Sequence, residues 1–289
     1  MQKIDKHVVC RQFRRAAASY DRQATIQHRV ADRLLTLAAQ YTNQQPQALS
    51  VLEIGCCTGL LTGKLLNSSI KVRSLVLNDL MPDFAERLPQ DIAVSKLSVG
   101  EPRVEVSLEE LSFLPGDIEK LPLPGPFDLI ISSSTFHWLD DLEQTLDKLL
   151  AALHPGGVLA FSLYGPENLP EIKELTGVGL DYLSLPEITS MLEKRCLLEK
   201  SYQDKEVFLF PKPRDVLNHL RRTGVNSINR TPWTRQKLHS FCREYTKRFQ
   251  VGQAVHLTYN PLYFIARRSH DVTKKPSNPQ KHLAKKFAK

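Results

Sequence analysis

An apolar run that ends in an acid and turns through glycines into a leucine-spaced segment restricts this chain more than any other stretch: Ser50-Val-Leu-Glu-Ile-Gly-Cys-Cys-Thr-Gly59. From Ala48 to Ile54 the residues are apolar and β-branched enough for a central strand, and Leu60 to Leu66 has the leucine spacing of a helix. Gly55 and Gly59 between them let the backbone turn and approach a ligand closely. Strand, glycine turn and helix in this order open a doubly wound α/β sheet, whose ligands bind beyond the ends of its strands.

Further landmarks follow in the order such a sheet requires. Val72 to Asn78 reads as a second strand that delivers Asp79 to the same edge, although Asp79 also suits a helix N-cap for the segment beginning at Pro82. Leu111 to Pro115 reads as a third strand followed by Asp117 and Ile118; seen alone, an Asp after a strand is most often a turn residue. Phe127 to Ser133 is a fourth strand, and Ser134-Thr-Phe-His-Trp138 the loop after it, where His137 and Trp138 form either a substrate wall or a packed loop. An amphipathic helix is expected from Leu142 to Leu153, stopped by His154-Pro-Gly-Gly157, with a fifth strand from Val158 to Leu163.

At 289 residues and 42% hydrophobic composition, the chain can bury one good core and leave room for a lid. No apolar run approaches the roughly 18 residues of a membrane span, and the Arg-rich N-terminus has no signal-peptide apolar region, so a soluble, cytoplasmic protein is expected. Cys10, Cys56, Cys57, Cys196 and Cys242 form no C-x-x-C pair, which argues against zinc and against a disulfide framework. The net charge of +8 is unevenly placed. Residues 206–250 hold 10 basic and 3 acidic side chains and residues 267–289 hold 8 and 1, whereas residues 1–205 are net −6. The tail, poor in apolar residues, is expected to be disordered. The 206–250 segment instead combines its charge with helical apolar spacing at Val216, Leu217 and Leu220 and at Leu238, Phe241, Tyr245 and Phe249, so a helix pair with an outward basic face for an acidic partner is expected.

The glycine turn resembles motif I of the class I S-adenosylmethionine-dependent methyltransferases, with Cys57 where that family has its middle glycine. A Cβ there either crowds the cofactor or demands a φ that cysteine resists. The resemblance, with the strand order above, implies a Rossmann-like α/β fold: a seven-stranded, mostly parallel sheet with helices on both faces, an N-terminal helical extension and a helical lid inserted before the last strand. The boundaries expected are 1–45 for the extension, 46–165 for the cofactor-binding core, 166–266 for lid helices and C-terminal strands, and 267–289 for the tail. Four further segments narrow the match: Phe13 to Asp21 with Ile26-Gln27, Phe161 to Asn168, Leu220 to Asn226, and Gly252 to Phe264. Together they resemble the malonyl-acyl carrier protein O-methyltransferases of biotin synthesis over about residues 8–268.

That resemblance implies methyl transfer from S-adenosyl-L-methionine to the free carboxylate of a malonyl thioester on acyl carrier protein, leaving S-adenosyl-L-homocysteine and using no metal. It implies that Tyr20 and Gln27 close over the cofactor and that Glu53, Gly55, Cys57, Gly59, Asp79, Leu80, Asp117, Ile118 and Ser133 line the rest of its site. A malonyl carboxylate, with a pKa near 4, is already the nucleophile at pH 7, so no general base is needed. A two-pronged arginine clamp would blunt that nucleophile; a single donor is expected instead, with Tyr20, His137, Tyr182, Arg221 and Arg222 as candidates. The acidic carrier protein would dock on the basic 206–250 segment. Other readings are a methyltransferase of a free small acid or phenol, and a cofactor-less binding protein marked by Cys57. A nucleic-acid methylase fits poorly, because Asn260-Pro-Leu-Tyr263, which is similar to the N/D-P-P-Y motif, lies in the last strand instead of after the fourth. Neither nucleic acid nor membrane is expected as a partner.

Overall fold

A computed structural model describes residues 4–43, 47–87, 108–224 and 233–269. Its centre is β1 (Leu49–Ile54), paired in parallel with β2 (Val72–Asp79) on one side and β4 (Phe127–Ser133) on the other. Adding β3 (Glu110–Pro115), β5 (Leu153–Tyr164), β6 (Leu197–Gln203) and β10 (Pro261–Arg267) gives a seven-stranded sheet of order β3-β2-β1-β4-β5-β10-β6. β10 runs antiparallel to both of its neighbours.

The central strands are apolar on both faces, as helix-covered parallel strands must be. Leu129 and Ile131 pack on one face with Ile26 and Leu34 of α2 (Thr25–Thr42) and Leu65 of α3 (Leu60–Leu66). Ile130 and Leu52 pack on the other with Leu146 and Leu149 of α4 (Leu142–Ala151) and Ile188 of α6 (Leu185–Glu193). The second and third strands and α3 run as expected from the sequence. The fourth connection differs: α4 ends at Ala151 and β5 already begins at Leu153. Leu153 pairs with Phe127 and Val158 with Leu129, so His154-Pro-Gly-Gly157 bulges out of a strand instead of separating a helix from one. Gly156, at φ +79°, makes that bulge possible. Arg268 holds it, with its backbone exchanging hydrogen bonds with Gly156 and Gly157. Arg267 donates to the Glu199 carboxylate at 2.8 Å and the Gly156 carbonyl at 2.9 Å, so Arg267, grouped by composition with the tail, belongs to β10, and Arg268 is tied to the edge of the bulge. The tail beyond residue 269 and most of the long connection after Asp91 lie outside the described residues.

The basic segment opens with a strand, β7 (Glu206–Phe210), instead of being helical throughout. β7, β9 (Ala254–Tyr259) and β8 (Gln250–Val251) form a small antiparallel sheet of order β7-β9-β8. α7 (Pro213–Arg222) and α8 (Arg235–Phe249) pack beside it, and Val216, Leu220, Phe241 and Tyr245 are buried as the helical spacing requires. Asn260 joins the two sheets: its backbone N–H donates to Asn168 Oδ1 and its Nδ2 to the Asp204 carbonyl. It is fully buried, so Asn260-Pro-Leu-Tyr263 is a structural joint.

Candidate active site

The ends of β1, β2, β3 and β4 open into a cavity that is partly open to solvent. It lies where the connections from β1 and β4 diverge, the crevice in which open α/β sheets bind ligands. Gly55, Cys57, Asp79, Leu80, Asp117, Ile118, Ser133 and Tyr20 all line it. Gly55 sits at φ +73°, and a Cβ there would lie 2.2 Å from Thr135 Oγ1, so only glycine fits. Gly59, at φ +85°, starts α3 just behind the lining.

Cys57 adopts φ +50°, the left-handed region that L-residues resist. The second of the two expected consequences of losing the middle glycine therefore holds: the turn keeps its shape and cysteine takes the strain. The Asp79 carboxylate holds it there, accepting from Cys57 N at 2.9 Å and from Met81 N at 2.9 Å. Burial raises Asp79 to about 6, with those backbone donors opposing the shift. Each carboxylate oxygen keeps a lone pair for a ligand hydroxyl. Burial also raises the Cys57 thiol, which stays protonated at neutral pH.

Asp117 is engaged by a residue that the sequence did not single out. Lys6 Nζ donates to both Asp117 oxygens at 2.8 Å and to Glu119. Side-chain hydrogen bonds from Lys6 hold Asp117 below the usual carboxylate range against the opposing effect of burial. Lys6 belongs to α1 (Lys6–Gln23), which crosses the cavity. Arg14 of the same helix clamps Asp83 beyond β2 at 2.7 Å, and Asp21 accepts from Thr58 of the glycine turn at 2.6 Å. Val9, Cys10, Phe13 and Tyr20 face the cavity from α1. Sequence periodicity could have flagged the helix, but not which strand end each charge meets.

Gln27 does not join Tyr20 at this cavity. The helical run breaks at Ala24, placing Gln27 on α2, where it is buried with Oε1 lacking a partner among the described residues. Glu53 lies under the glycine turn, fully buried, with neither carboxylate oxygen in a hydrogen bond among the described residues. Burial pushes it to about 8, although Thr62 lies near enough to oppose part of the shift.

The five candidates for holding a substrate carboxylate are dispersed. Tyr20 faces the cofactor-type cavity. His137 and Tyr182 belong to one aromatic cluster, with ring centroids of His137 lying 4.9 Å from Trp138, 5.2 Å from Tyr164 and 6.2 Å from Tyr182. Arg221 lines a different cavity, and Arg222 is exposed near the end of α7 and lines neither. Sequence reasoning missed Tyr164 and Ser134. The Tyr164 hydroxyl, Ser134 Oγ and His137 Nδ1 are buried polar atoms that meet no hydrogen-bond criterion among the described residues, although Ser134 lies near enough to the Tyr164 hydroxyl to oppose part of the effect of burial on it. Burial lowers His137 to about 3, so it is a neutral imidazole at physiological pH. Tyr164 lies within the Phe161–Asn168 segment, one residue past the expected fifth strand, but no role for it follows from the sequence.

These features define a class I methyltransferase: the strand order, the glycine turn and the acids at the ends of β2 and β3. Residues 52–161 match the model described as "Methyltransferase domain". A malonyl-[acyl-carrier protein] O-methyltransferase of Calditerrivibrio nitroreducens is 37% identical over 90% of this chain and 96% of its own length. One from Chlorobium phaeovibrioides is 36% identical over 91% and 97%. The chain belongs to the malonyl-[acyl-carrier protein] O-methyltransferase family. Among solved structures, the YcgJ protein of Bacillus subtilis shares the fold at a TM-score of 0.55 and 17% identity, over 83% of this chain and 100% of that one. The [4+2]-cyclase SpnF shares it at 0.51 and 14%, over 83% and 81%. A fold hosting such different names does not by itself specify a reaction.

Two outcomes are expected from the turn. Cys57→Gly should stabilise the protein by about 1 kcal/mol by removing left-handed strain, read as a higher urea midpoint; an unchanged or lower midpoint would mean that the thiol's packing outweighs the strain. For Glu53, a folded pKa near 8 exceeds the ordinary value of 4.5, so the folded state binds the extra proton and stability falls as pH rises between those values. Glu53→Gln should flatten the decline in urea midpoint between pH 5 and 8 (about the window the two pKa values set); equal slopes in both proteins would contradict this.

Proposed function

We propose that this protein methylates the free carboxylate of a malonyl thioester on acyl carrier protein, using S-adenosylmethionine and releasing S-adenosylhomocysteine. The product is the malonyl methyl ester that begins pimeloyl chain synthesis for biotin. The observation that carries this reading is membership of the family over 90% of the chain. The site is chemically consistent with it. Asp79 has acceptor capacity for ribose hydroxyls, Asp117 for an adenine amino group, and Ile118 and Leu80 supply apolar walls. Gly55 provides a close backbone approach that a Cβ would block. S-Adenosylmethionine, when bound, supplies an electrophilic methyl group.

The protein's own contribution is to position the carboxylate and exclude water. A malonyl carboxylate is ionised at neutral pH without help from a base. Neutral His137 and the hydroxyls of Tyr164 and Ser134 offer single hydrogen bonds without a full positive charge, so they orient an oxygen while leaving it nucleophilic. Burial raises the Tyr164 hydroxyl, which remains a donor throughout the physiological range. Enclosure by α1 and the lid removes competing water, and alignment supplies much of the acceleration of a bimolecular displacement. Exposed Arg214, Arg222, Arg235, Arg243 and Lys247 on α7 and α8 offer the acidic carrier a complementary surface.

Mass spectrometry of malonyl carrier protein after incubation with this protein and S-adenosylmethionine should show a gain of about 14 Da, one methylene, that is absent with the acetyl carrier. No gain, with cofactor binding intact, would remove the substrate reading. In the same assay, Tyr164→Phe should lower kcat about tenfold with cofactor affinity nearly unchanged, and KM for the wild-type protein should rise with salt as the basic surface is screened. An unchanged kcat would exclude Tyr164, and a flat KM the electrostatic docking.

A further inference from the structure

A second cavity lies between α5 (Pro170–Thr176), the segment at 177–184, α7 and α8. Its walls are largely apolar, including Ile172, Val178 and Leu217, but they are interrupted by the amides of Asn168 and Asn218. Its charged lining residues among those described are Lys173 and Arg221, both exposed and both positive. A third cation lies over a lining residue: Lys237 Nζ is 5.6 Å from the ring centroid of Trp233, which lines the cavity. The rest of its polar lining is neutral, and Asn168 is buried. Asn168 Nδ2 donates to the Tyr182 hydroxyl at 3.0 Å, and Asn168 Oδ1 is held by the Asn260 backbone.

The inner wall of this cavity is the outer wall of the first. Tyr182 lines the second cavity and neighbours His137, and His137 neighbours Trp138, which lines the first. Three rings therefore lie between the two cavities, beside the buried Tyr164 hydroxyl.

We propose that the second cavity takes the phosphopantetheine arm of the carrier protein, its phosphate between Lys173 and Arg221 and its thioester end against Asn168 and Tyr182. The inference rests on the malonyl-carrier reading and adds a site for the part of the substrate that reading leaves unplaced. The match is one of chemistry along a line. The arm is a flexible chain with a singly negative phosphodiester at one end, two amides along its length and an uncharged thioester at the other. The cavity runs from exposed cations, past side-chain amides set in apolar walls, to the buried, neutral Asn168. Phosphate at a lysine and an arginine forms charge-assisted hydrogen bonds, whereas either cation at the inner end would meet the malonyl carboxylate and hold it away from the methyl site. Carrier docking on the basic faces of α7 and α8 would bring the arm to this mouth.

The chain contains two tryptophans, and one lines each cavity. The full-length Trp138→Phe protein then reports the second cavity through Trp233, and Trp233→Phe reports the first through Trp138. Pantetheine 4′-phosphate, titrated to about millimolar concentration, should change Trp233 emission saturably and leave Trp138 emission alone; S-adenosylhomocysteine should change Trp138. Adding Lys173→Ala and Arg221→Ala should weaken the Trp233 response about fivefold or more. A response at Trp138 only, no saturable response at Trp233, or one indifferent to the two cations would overturn the proposal. The unaltered protein gives a second readout: pantetheine 4′-phosphate should inhibit competitively with malonyl carrier, and competition with S-adenosylmethionine would also overturn it. Because the fluorescence titration involves no malonyl group and no turnover, it separates the two ideas. A Trp233 response without methylation of the malonyl carrier would sink the substrate reading, and methylation with a silent Trp233 would sink the arm site.

Discussion

Everything functional in this molecule hangs on β1 being hydrogen-bonded in parallel to β2 and β4 at once. The chain leaves those strands in different directions, so a crevice opens at their ends that no side chain from the sheet fills. The backbone at its edge must be held in shape by something other than the ladder. Asp79 does this, accepting the Cys57 amide from across the crevice, while the Gly55 and Cys56 amides donate to the Asn78 carbonyl. The turn is thus tied to β2 by three hydrogen bonds, which explains how cysteine tolerates a left-handed conformation there.

The N-terminal helix completes the enclosure with polar contacts laid out in register with the sheet. Lys6 meets the end of β3, Arg14 the turn after β2, and Asp21 the turn after β1. The three contacts do not contribute equally. Lys6 and Asp117 are both less than one-fifth exposed, whereas Arg14 is about half exposed and its pair is correspondingly screened. The end of the helix nearest Asp117 is therefore the better anchored by charge. Between these polar contacts, Phe13 and Tyr20 present aromatic surface, so one element both roofs the cavity and supplies part of its apolar lining.

Much of the strand framework was legible because parallel strands buried on both faces leave a one-dimensional trace: short apolar runs that end in turn residues. The start of β5 escaped that reading because its first residue pairs with β4 before a glycine bulge, and a bulge looks like a terminator in sequence. The opening of the basic segment escaped it because β7 is an edge strand whose Val207 and Leu209 are exposed, so it lacks the burial pattern of a core strand. At the site, Asp79 and Asp117 could be anticipated from their positions after strands. Tyr164, Ser134 and Lys6 could not, because each matters through a neighbour distant in the chain. Among the five proposed carboxylate holders, chain position did not distinguish Tyr182, brought to His137, from Arg222, left exposed near a helix end.

The sequence by itself determined most of the central strands, the glycine turn with its flanking acids, the apolar stripes of α7 and α8 and the uneven placement of positive charge. All of these are set by local periodicity, backbone freedom or composition, and each can be read from residues close together in the chain. Only the tertiary structure decided which polar atoms are left without partners, that His137 is held neutral, and that three aromatic rings lie between two cavities. Those properties arise from desolvation and from contacts between segments tens of residues apart. Burial from solvent is a property of the packed molecule, and no short stretch of sequence carries it.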